Sequence, residues 1–275
     1  MPTRHGHINV RIWDGPPDES RRALLVCLHG LADSGEVFGR LWEALGAWTV
    51  IAPDAPGHGN SSWPSGERYG AALCAEAMAE VLDWVASQYP SRPVLLLGHS
   101  TGALAAALVA AARPALVRHV IVEEPPRRPW RPRVANAKER IWTQRIQAFD
   151  EQACSVLASW GWSEEDNLAW LHSKREFNLA VFDDGLIWGP RLRDVLPHVQ
   201  VPVTAVLGRL RRGSTIRPWT VRRHRRACPA GYTCVRLDAG HNPRREAFDD
   251  YTATVRSVLL SVEPWTLTDA GGDRP

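Results

Sequence analysis

The chain has 275 residues, of which 44% are hydrophobic, and a formal net charge of +3, which fits one large globular domain with an inserted segment. It contains no run of 18 apolar residues, which excludes a membrane-spanning helix, and its first seven residues lack the apolar core of a signal peptide. Five cysteines without framework spacing indicate reduced thiols, so we expect a cytoplasmic protein that binds neither membrane nor metal.

Strand-like and helix-like segments alternate along the chain, which predicts an α/β fold with a mostly parallel sheet covered on both faces. The predicted strands are residues 5–13, 24–28, 49–53, 93–98, 118–123, 201–207 and 233–238. The predicted helices are residues 36–46, 67–88, 101–112, 135–160, 164–182, 217–228 and 243–261.

The stretch of residues 125–196 is too long for a loop without structure of its own. We therefore predict a helical lid over residues 125–196, inserted into a core of residues 1–124 and 197–263, and a loose tail over residues 264–275.

Two early loops follow predicted buried strands. The first reads His29-Gly30-Leu31, and the second runs from Asp54 to Ser61 as D-A-P-G-H-G-N-S. Two glycines and a proline make the second loop a tight turn. Its Asp54 and its His58 are expected to hold that loop rather than to act in catalysis.

The central motif is Gly98-His99-Ser100-Thr101-Gly102, a G-x-S-x-G pentapeptide between the apolar run of residues 94–97 and an alanine-rich helical segment. This strand–turn–helix context is the one that a nucleophile elbow requires, and the two glycines leave room where a Cβ would clash. We therefore predict that Ser100 is a nucleophile.

A serine nucleophile needs donors for the developing oxyanion. One donor is expected to be the backbone amide of Thr101, which follows the nucleophile, and the other the amide of Leu31, in the loop after an earlier strand. The imidazole of His29 is expected to anchor that loop or to touch the substrate.

A serine nucleophile also needs a base, which we predict to be His241. It follows the last predicted strand in the sequence Ala239-Gly240-His241, and catalytic residues gather at such strand ends in an open α/β sheet.

Four blocks in this order (H-G, D-x-P-G-H-G-x-S, G-H-S-x-G and a late G-H) resemble the α/β-hydrolase superfamily over residues 5–262. The resemblance implies an α/β-hydrolase fold and a serine hydrolase without a cofactor. A serine in the elbow argues against the dehalogenases and epoxide hydrolases that use an aspartate nucleophile.

The acid of the triad departs from the commonest pattern of the superfamily. Where a carboxylate is expected after the strand of residues 201–207, the sequence has Arg211. The block Glu123-Glu124-Pro125-Pro126 instead resembles the E-D-P-P block of a subgroup that includes amide and formamide hydrolases, which implies that Glu124 is the acid. Glu123, Asp238 and a degraded triad remain alternatives.

Six of the 13 tryptophans fall in the predicted lid, where they pack the lid onto the core or line a water-poor pocket. As candidate substrate-binding residues we name Trp130, Trp142, Trp170 and Lys174, the last of which could meet a carboxylate on the substrate.

The sequence thus favours cleavage of an ester or amide of a small, mostly hydrophobic molecule. Eight arginines between Arg209 and Arg226 form either a solvated face or a docking surface for an acidic carrier protein. That surface would suit an alternative, acyl transfer, cyclisation or thioester cleavage on a carrier-bound chain. A further alternative is a ligand-binding protein without catalysis. Nucleic acid is not expected, since no binding module accompanies the arginines.

Overall fold

The computed structural model describes residues 1–16, 22–63, 69–126, 132–148, 160–183 and 189–262. Nine strands lie in this part of the chain. They are β1 Pro2–Thr3, β2 Gly6–His7, β3 Val10–Trp13, β4 Leu24–Leu28, β5 Val50–Pro53, β6 Val94–His99, β7 Val117–Glu123, β8 Val203–Leu207 and β9 Tyr232–Arg236.

Strands β1 and β2 form a small antiparallel pair, and the other strands form one seven-stranded sheet in the order β3-β5-β4-β6-β7-β8-β9. Strand β3 is antiparallel to β5, and every other pair in this sheet is parallel. Because the central strands are buried on both faces, their sequences are continuous apolar runs rather than alternating patterns.

Ten α-helices lie in the described part of the chain. They are α1 Gly39–Leu45, α2 Ala71–Gln88, α3 Thr101–Ala112, α4 Pro132–Gln147, α5 Glu164–Arg175, α6 Ala180–Asp183, α7 Leu192–Val195, α8 Pro218–Ala227, α9 Pro243–Glu246 and α10 Phe248–Ser261. None of these helices is long and apolar enough to cross a lipid bilayer.

The helices pack on the two faces of the sheet. In β4, the side chains of Leu24 and Val26 contact the core formed with α2 and α3, while those of Leu25 and Cys27 contact the core formed with α1 and α10. This alternation follows from the two-residue period of a strand. The predicted mostly parallel sheet, covered on both faces, is confirmed.

Four predicted elements are divided or end earlier than expected. The predicted strand 5–13 divides into the short strand β2 and strand β3, and the predicted helix 243–261 is interrupted at Ala247, whose φ of −139° is not helical. In the predicted lid, α4 ends at Gln147 and α5 at Arg175, earlier than residues 160 and 182. Residues 149–159 and the predicted tail lie outside the described residues, so the division into core, lid and tail stays a prediction.

Candidate active site

The candidate site lies where the order of the sheet reverses. Strand β4 has β5 on one side and β6 on the other, so the loops that follow β4 and β6 diverge at their carboxyl ends. Such a switch point opens a crevice at the edge of a parallel sheet. The loop of Gly30 and the turn of Ser100 border this crevice.

Ser100 stands on a sharp turn between β6 and α3, with φ of 51° and ψ of −115°, a conformation that is strained for a residue with a side chain. The turn depends on the two glycines of the motif. A Cβ on Gly98 would overlap the carbonyl oxygen of Gly102, and a Cβ on Gly102 would overlap the carbonyl oxygens of Leu28 and His29. The close approach of these backbones therefore requires glycine at both positions.

Ser100, His241 and Glu124 form a hydrogen-bonded chain at this edge. The Oγ of Ser100 lies 3.2 Å from Nε2 of His241, and Nδ1 of the same imidazole lies 3.4 Å from Oε2 of Glu124. These three residues are 24 to 141 positions apart in the sequence, and the turns after β6, β7 and β9 bring them together. A hydroxyl, an imidazole and a carboxylate linked in this order have the arrangement of a catalytic triad.

Glu124 is fully buried and has a positive φ of 41°, so its carboxylate turns back over the sheet edge. Its Oε1 accepts hydrogen bonds from the Ser214 hydroxyl at 2.6 Å and from the Gly208 amide at 2.9 Å. Burial raises the pKa of a carboxyl group, but the hydrogen bonds from His241, Ser214 and Gly208 outweigh burial and hold the pKa of Glu124 below its ordinary value. The side chain is therefore an anion where His241 needs one.

The two other acids considered from the sequence face elsewhere. Glu123 accepts hydrogen bonds at 3.0 Å from Nη1 of Arg244 and from the Tyr251 hydroxyl inside the core. Asp238 is exposed and pairs with three arginines of the basic segment, including Arg211 at 3.0 Å. Neither carboxylate contacts His241, so Glu124 is the carboxylate that the structure brings to the imidazole.

Two residues that sequence reasoning did not select hold the His241 loop. Burial lowers the pKa of His99 to about 4, so its ring is neutral at pH 7, and its Nε2–H donates to the backbone carbonyl of His241 at 3.0 Å. The carboxylate of Glu246 accepts from the amides of Gly240 and Asn242 at 2.7 and 3.2 Å. The only signal in the sequence was position, since His99 directly precedes Ser100 and Glu246 follows His241 by five residues.

The two expected oxyanion donors belong to loops at the same edge. Leu31 lines the cavity that contains Ser100, and Thr101 is the first residue of α3, where the helix dipole favours negative charge. The next residue, Ala32, has a positive φ of 57°, which turns the loop after β4 sharply. The roles of Leu31 and Thr101 stay predictions.

His29 has the geometry of an anchor. Its Nδ1–H donates to the Gly30 carbonyl, and its Nε2 accepts from the Ala55 amide, both at 2.8 Å. The imidazole is buried, and backbone groups occupy both of its nitrogens, so neither is free to bind a substrate.

The cavity at Ser100 has a volume of about 560 Å³ and two chemically different walls. One wall consists of Trp160, Trp162 and Trp170, whose rings contact one another with centroids 4.6 to 6.4 Å apart. The charged part of the lining includes Lys174, Arg245 and Asp33.

Of the four residues proposed from the sequence to bind substrate in the lid, Trp170 and Lys174 line this cavity. Trp142 packs instead against Ile146 and Trp170 in a small apolar cluster between α4 and α5. Trp130 lies outside the described residues. Within the described ranges, no three His, Cys, Asp or Glu side chains are grouped as metal ligands would be.

Comparisons with known proteins relate the chain to hydrolases. A family model described as alpha/beta hydrolase fold matches residues 23–159. Lipase LipV of Mycobacterium tuberculosis (strain ATCC 25618 / H37Rv) is 32% identical over 111 residues, which cover 40% of this chain. That match spans only 39% of the length of LipV.

Two solved structures are similar over nearly the whole chain. The N-formylmaleamic acid deformylase from Pseudomonas putida S16 has a TM-score of 0.69 at 18% identity and covers 90% of this chain and 95% of its own. The thioesterase domain from the curacin biosynthetic pathway has a TM-score of 0.66 at 21% identity and covers 92% and 95%. At these identities the structures share a fold with this chain, which confirms the predicted fold class.

Proposed function

Since the chain belongs to the α/β-hydrolase superfamily, we propose that it is a serine hydrolase without a cofactor. It cleaves an ester or amide of a small, mostly hydrophobic substrate through an acyl-enzyme. The observation that supports this proposal most directly is the chain of hydrogen bonds from Ser100 through His241 to Glu124.

The mechanism follows from the roles of these groups. Nε2 of His241 takes the proton of Ser100 as Oγ attacks the carbonyl carbon, and it later gives that proton to the leaving group. The anionic Glu124 orients the imidazole and stabilises its positive charge. The amides of Leu31 and Thr101 donate to the oxyanion, where loss of one donor typically costs about 10²–10³ in kcat. Water then attacks the acyl-enzyme with His241 as base.

The test is the release of p-nitrophenol from p-nitrophenyl butyrate. Ser100→Ala is expected to lose at least about a hundredfold in kcat, because the nucleophile is gone. The matched control is Ser87→Ala, at an exposed serine near the end of α2, which should match the wild type. A Ser100→Ala protein as active as the wild type would refute the proposal.

A second candidate function, thioester cleavage or acyl transfer on a carrier-bound chain, is favoured by the place of the basic segment. Arg212 lines the cavity that contains Ser100, and later in the chain α8 carries four exposed arginines, Arg222, Arg223, Arg225 and Arg226. An acidic carrier protein bound to them could deliver its acyl group to Ser100. The test is binding of the chain to an acidic carrier protein. An affinity that falls as salt is added, and that falls again in the Arg222→Glu/Arg225→Glu variant, would support this candidate. Equal binding by that variant would exclude it.

A further inference from the structure

Two buried cations from different parts of the chain face the cavity that contains Ser100. Lys174, near the end of α5, is 2% exposed, and Arg245, in α9, is 4% exposed. Removing a charge from water is costly unless other charges and hydrogen bonds compensate it. Two such cations in one cavity wall therefore indicate that an anion belongs there.

Asp33 supplies part of this negative charge. Its carboxylate oxygens lie 3.3 and 3.4 Å from Nη2 of Arg245, and its Oδ1 lies 4.0 Å from Nζ of Lys174. Burial raises the pKa of a carboxyl group, but Arg245 and Lys174 outweigh burial and hold the pKa of Asp33 well below its usual range. His99, with Nδ1 3.9 Å from Asp33, is neutral at pH 7. Lys174, Arg245 and Asp33 together thus carry one net positive charge.

In the part of the free protein that the structure describes, neither cation has its hydrogen-bonding capacity filled. The Nε of Arg245 is buried and has no hydrogen-bond partner among the described residues. Nζ of Lys174 donates to the Ala32 carbonyl at 2.9 Å, and its distance of 4.0 Å from Asp33 exceeds a hydrogen bond. Trp162 and Trp170 pack on the two cations, with 4.7 Å from each charged group to the ring centroid, and so fix their positions.

Glu139 of α4 completes the charge balance in the free protein. Its Oε1 lies 2.6 Å from Nζ of Lys174, yet its side chain is 37% exposed, far more than any of its charged neighbours. The carboxylate of Glu139 therefore already occupies one side of Lys174. Of the charged groups in the cluster, it is the one that can move into water at the lowest cost in free energy.

We infer that Lys174 and Arg245 bind a carboxylate of the substrate, which replaces Glu139 at Lys174, while an apolar part of the substrate lies against the tryptophan wall. The inference rests on the proposed function and narrows the substrate class to esters or amides that carry a free carboxylate.

The test compares 3-phenylpropanoate with its neutral amide, 3-phenylpropanamide, by calorimetry on the Ser100→Ala protein, which requires no turnover. The carboxylate is expected to bind at least about tenfold more tightly, as for one additional charge-assisted hydrogen bond. Lys174→Met in the same background should remove the difference, whereas Arg191→Gln, at an exposed arginine just before α7, should retain it. Equal affinity for the two probes would overturn the inference.

The Glu139→Gln variant distinguishes a cluster that binds a carboxylate from one that only stabilises the fold. Because the competing carboxylate is removed from a half-exposed position, folding is retained, and 3-phenylpropanoate should bind about threefold or more tightly than before. Binding of 3-phenylpropanamide should not change. Weaker or unchanged binding of the carboxylate would contradict the exchange.

These outcomes separate the two proposals. If the wild type hydrolyses p-nitrophenyl butyrate but the probes bind equally, the serine hydrolase stands and the carboxylate site fails. If the wild type hydrolyses no ester but the carboxylate preference appears, the site stands and the proposed function fails.

Discussion

Glu123 and Glu124 are neighbours in the chain, but their carboxylates lie on opposite sides of the β7 strand end. Glu124 turns toward His241 because of its positive φ, while Glu123 points into the core, where it pairs with Arg244. Under the proposed function, only the environment of Glu124 affects catalysis. The two residues therefore offer a matched pair of substitutions.

Glu124→Gln is expected to lower kcat by about 10³–10⁴, because an amide neither holds the correct imidazole tautomer nor stabilises the imidazolium ion. KM should change little, since Glu124 does not line the cavity. Steady-state kinetics with p-nitrophenyl butyrate check both values. A loss of less than tenfold would mean that another group orients His241.

Glu123→Gln is expected to act on stability instead. It leaves the guanidinium of Arg244 buried without its carboxylate, a change that typically costs about 3–5 kcal/mol. Urea denaturation should show that loss, and the protein that remains folded should keep a kcat within about threefold of the wild type. A variant that keeps its stability but loses its activity would reverse the roles of the two glutamates.

Among the elements, the β6–turn–α3 unit carries the tightest geometric demand. Gly102→Ala would place a Cβ on the carbonyl oxygens that end β4, and backbone cannot yield as a flexible side chain can. We expect a loss of several kcal/mol in unfolding free energy, or failure to fold. Gly39→Ala is the control, because it is helical and its Cβ would have no neighbour closer than 3.8 Å. A Gly102→Ala protein as stable as Gly39→Ala would contradict the turn geometry.

This unit was also the part most open to prediction from sequence. Gly98 is constrained by contacts with residues 102 and 103, and Ser100 by its own backbone, so the motif itself indicates the turn. The contact of Gly102 with the end of β4 is long-range and could not be predicted from the motif. Glu124 was predicted only through a family resemblance, because its partner His241 is 117 positions away. The helix break at Ala247 was missed, since the apolar periodicity continues across it.

At the scale of the whole molecule, the sheet order gathers residues that no local pattern connects. Asp33 and Arg245 are 212 positions apart and meet only because the loops after β4 and β9 share one edge. The adjacent pair Arg244-Arg245 gave no hint that one guanidinium enters the core and the other the cavity. Lys174 was predicted as a site residue from its place four residues after Trp170 on one helix. Its partners Asp33 and Glu139 could not be predicted from the sequence.

Buried histidines distributed through the fold predict how stability depends on pH. Burial lowers the pKa of His58 to about 3 and those of His99, His119 and His224 to about 4, from an ordinary value of 6.5. The unfolded chain therefore binds more protons than the folded chain between pH 6.5 and 4. Stability is complete above this range and falls as pH decreases through it, by on the order of 2 kcal/mol per histidine at pH 5.

Urea denaturation at pH 7 and pH 5 measures this loss. His119→Gln should reduce the difference between the two pH values by about 2 kcal/mol, because one buried base is removed. His198→Gln, at an exposed histidine, should behave as the wild type does. Equal unfolding free energies of the wild type at the two pH values would show that these imidazoles are not held neutral.

The most direct measurement of the central claim is covalent labelling by a fluorophosphonate, followed by intact mass spectrometry and peptide mapping. An activated serine should take up one equivalent, on the peptide that contains Ser100, and Ser100→Ala should take up none. Glu124→Gln should be labelled far more slowly, since its His241 is a poorer base. Absence of labelling in folded wild-type protein, or labelling at another residue, would contradict the account.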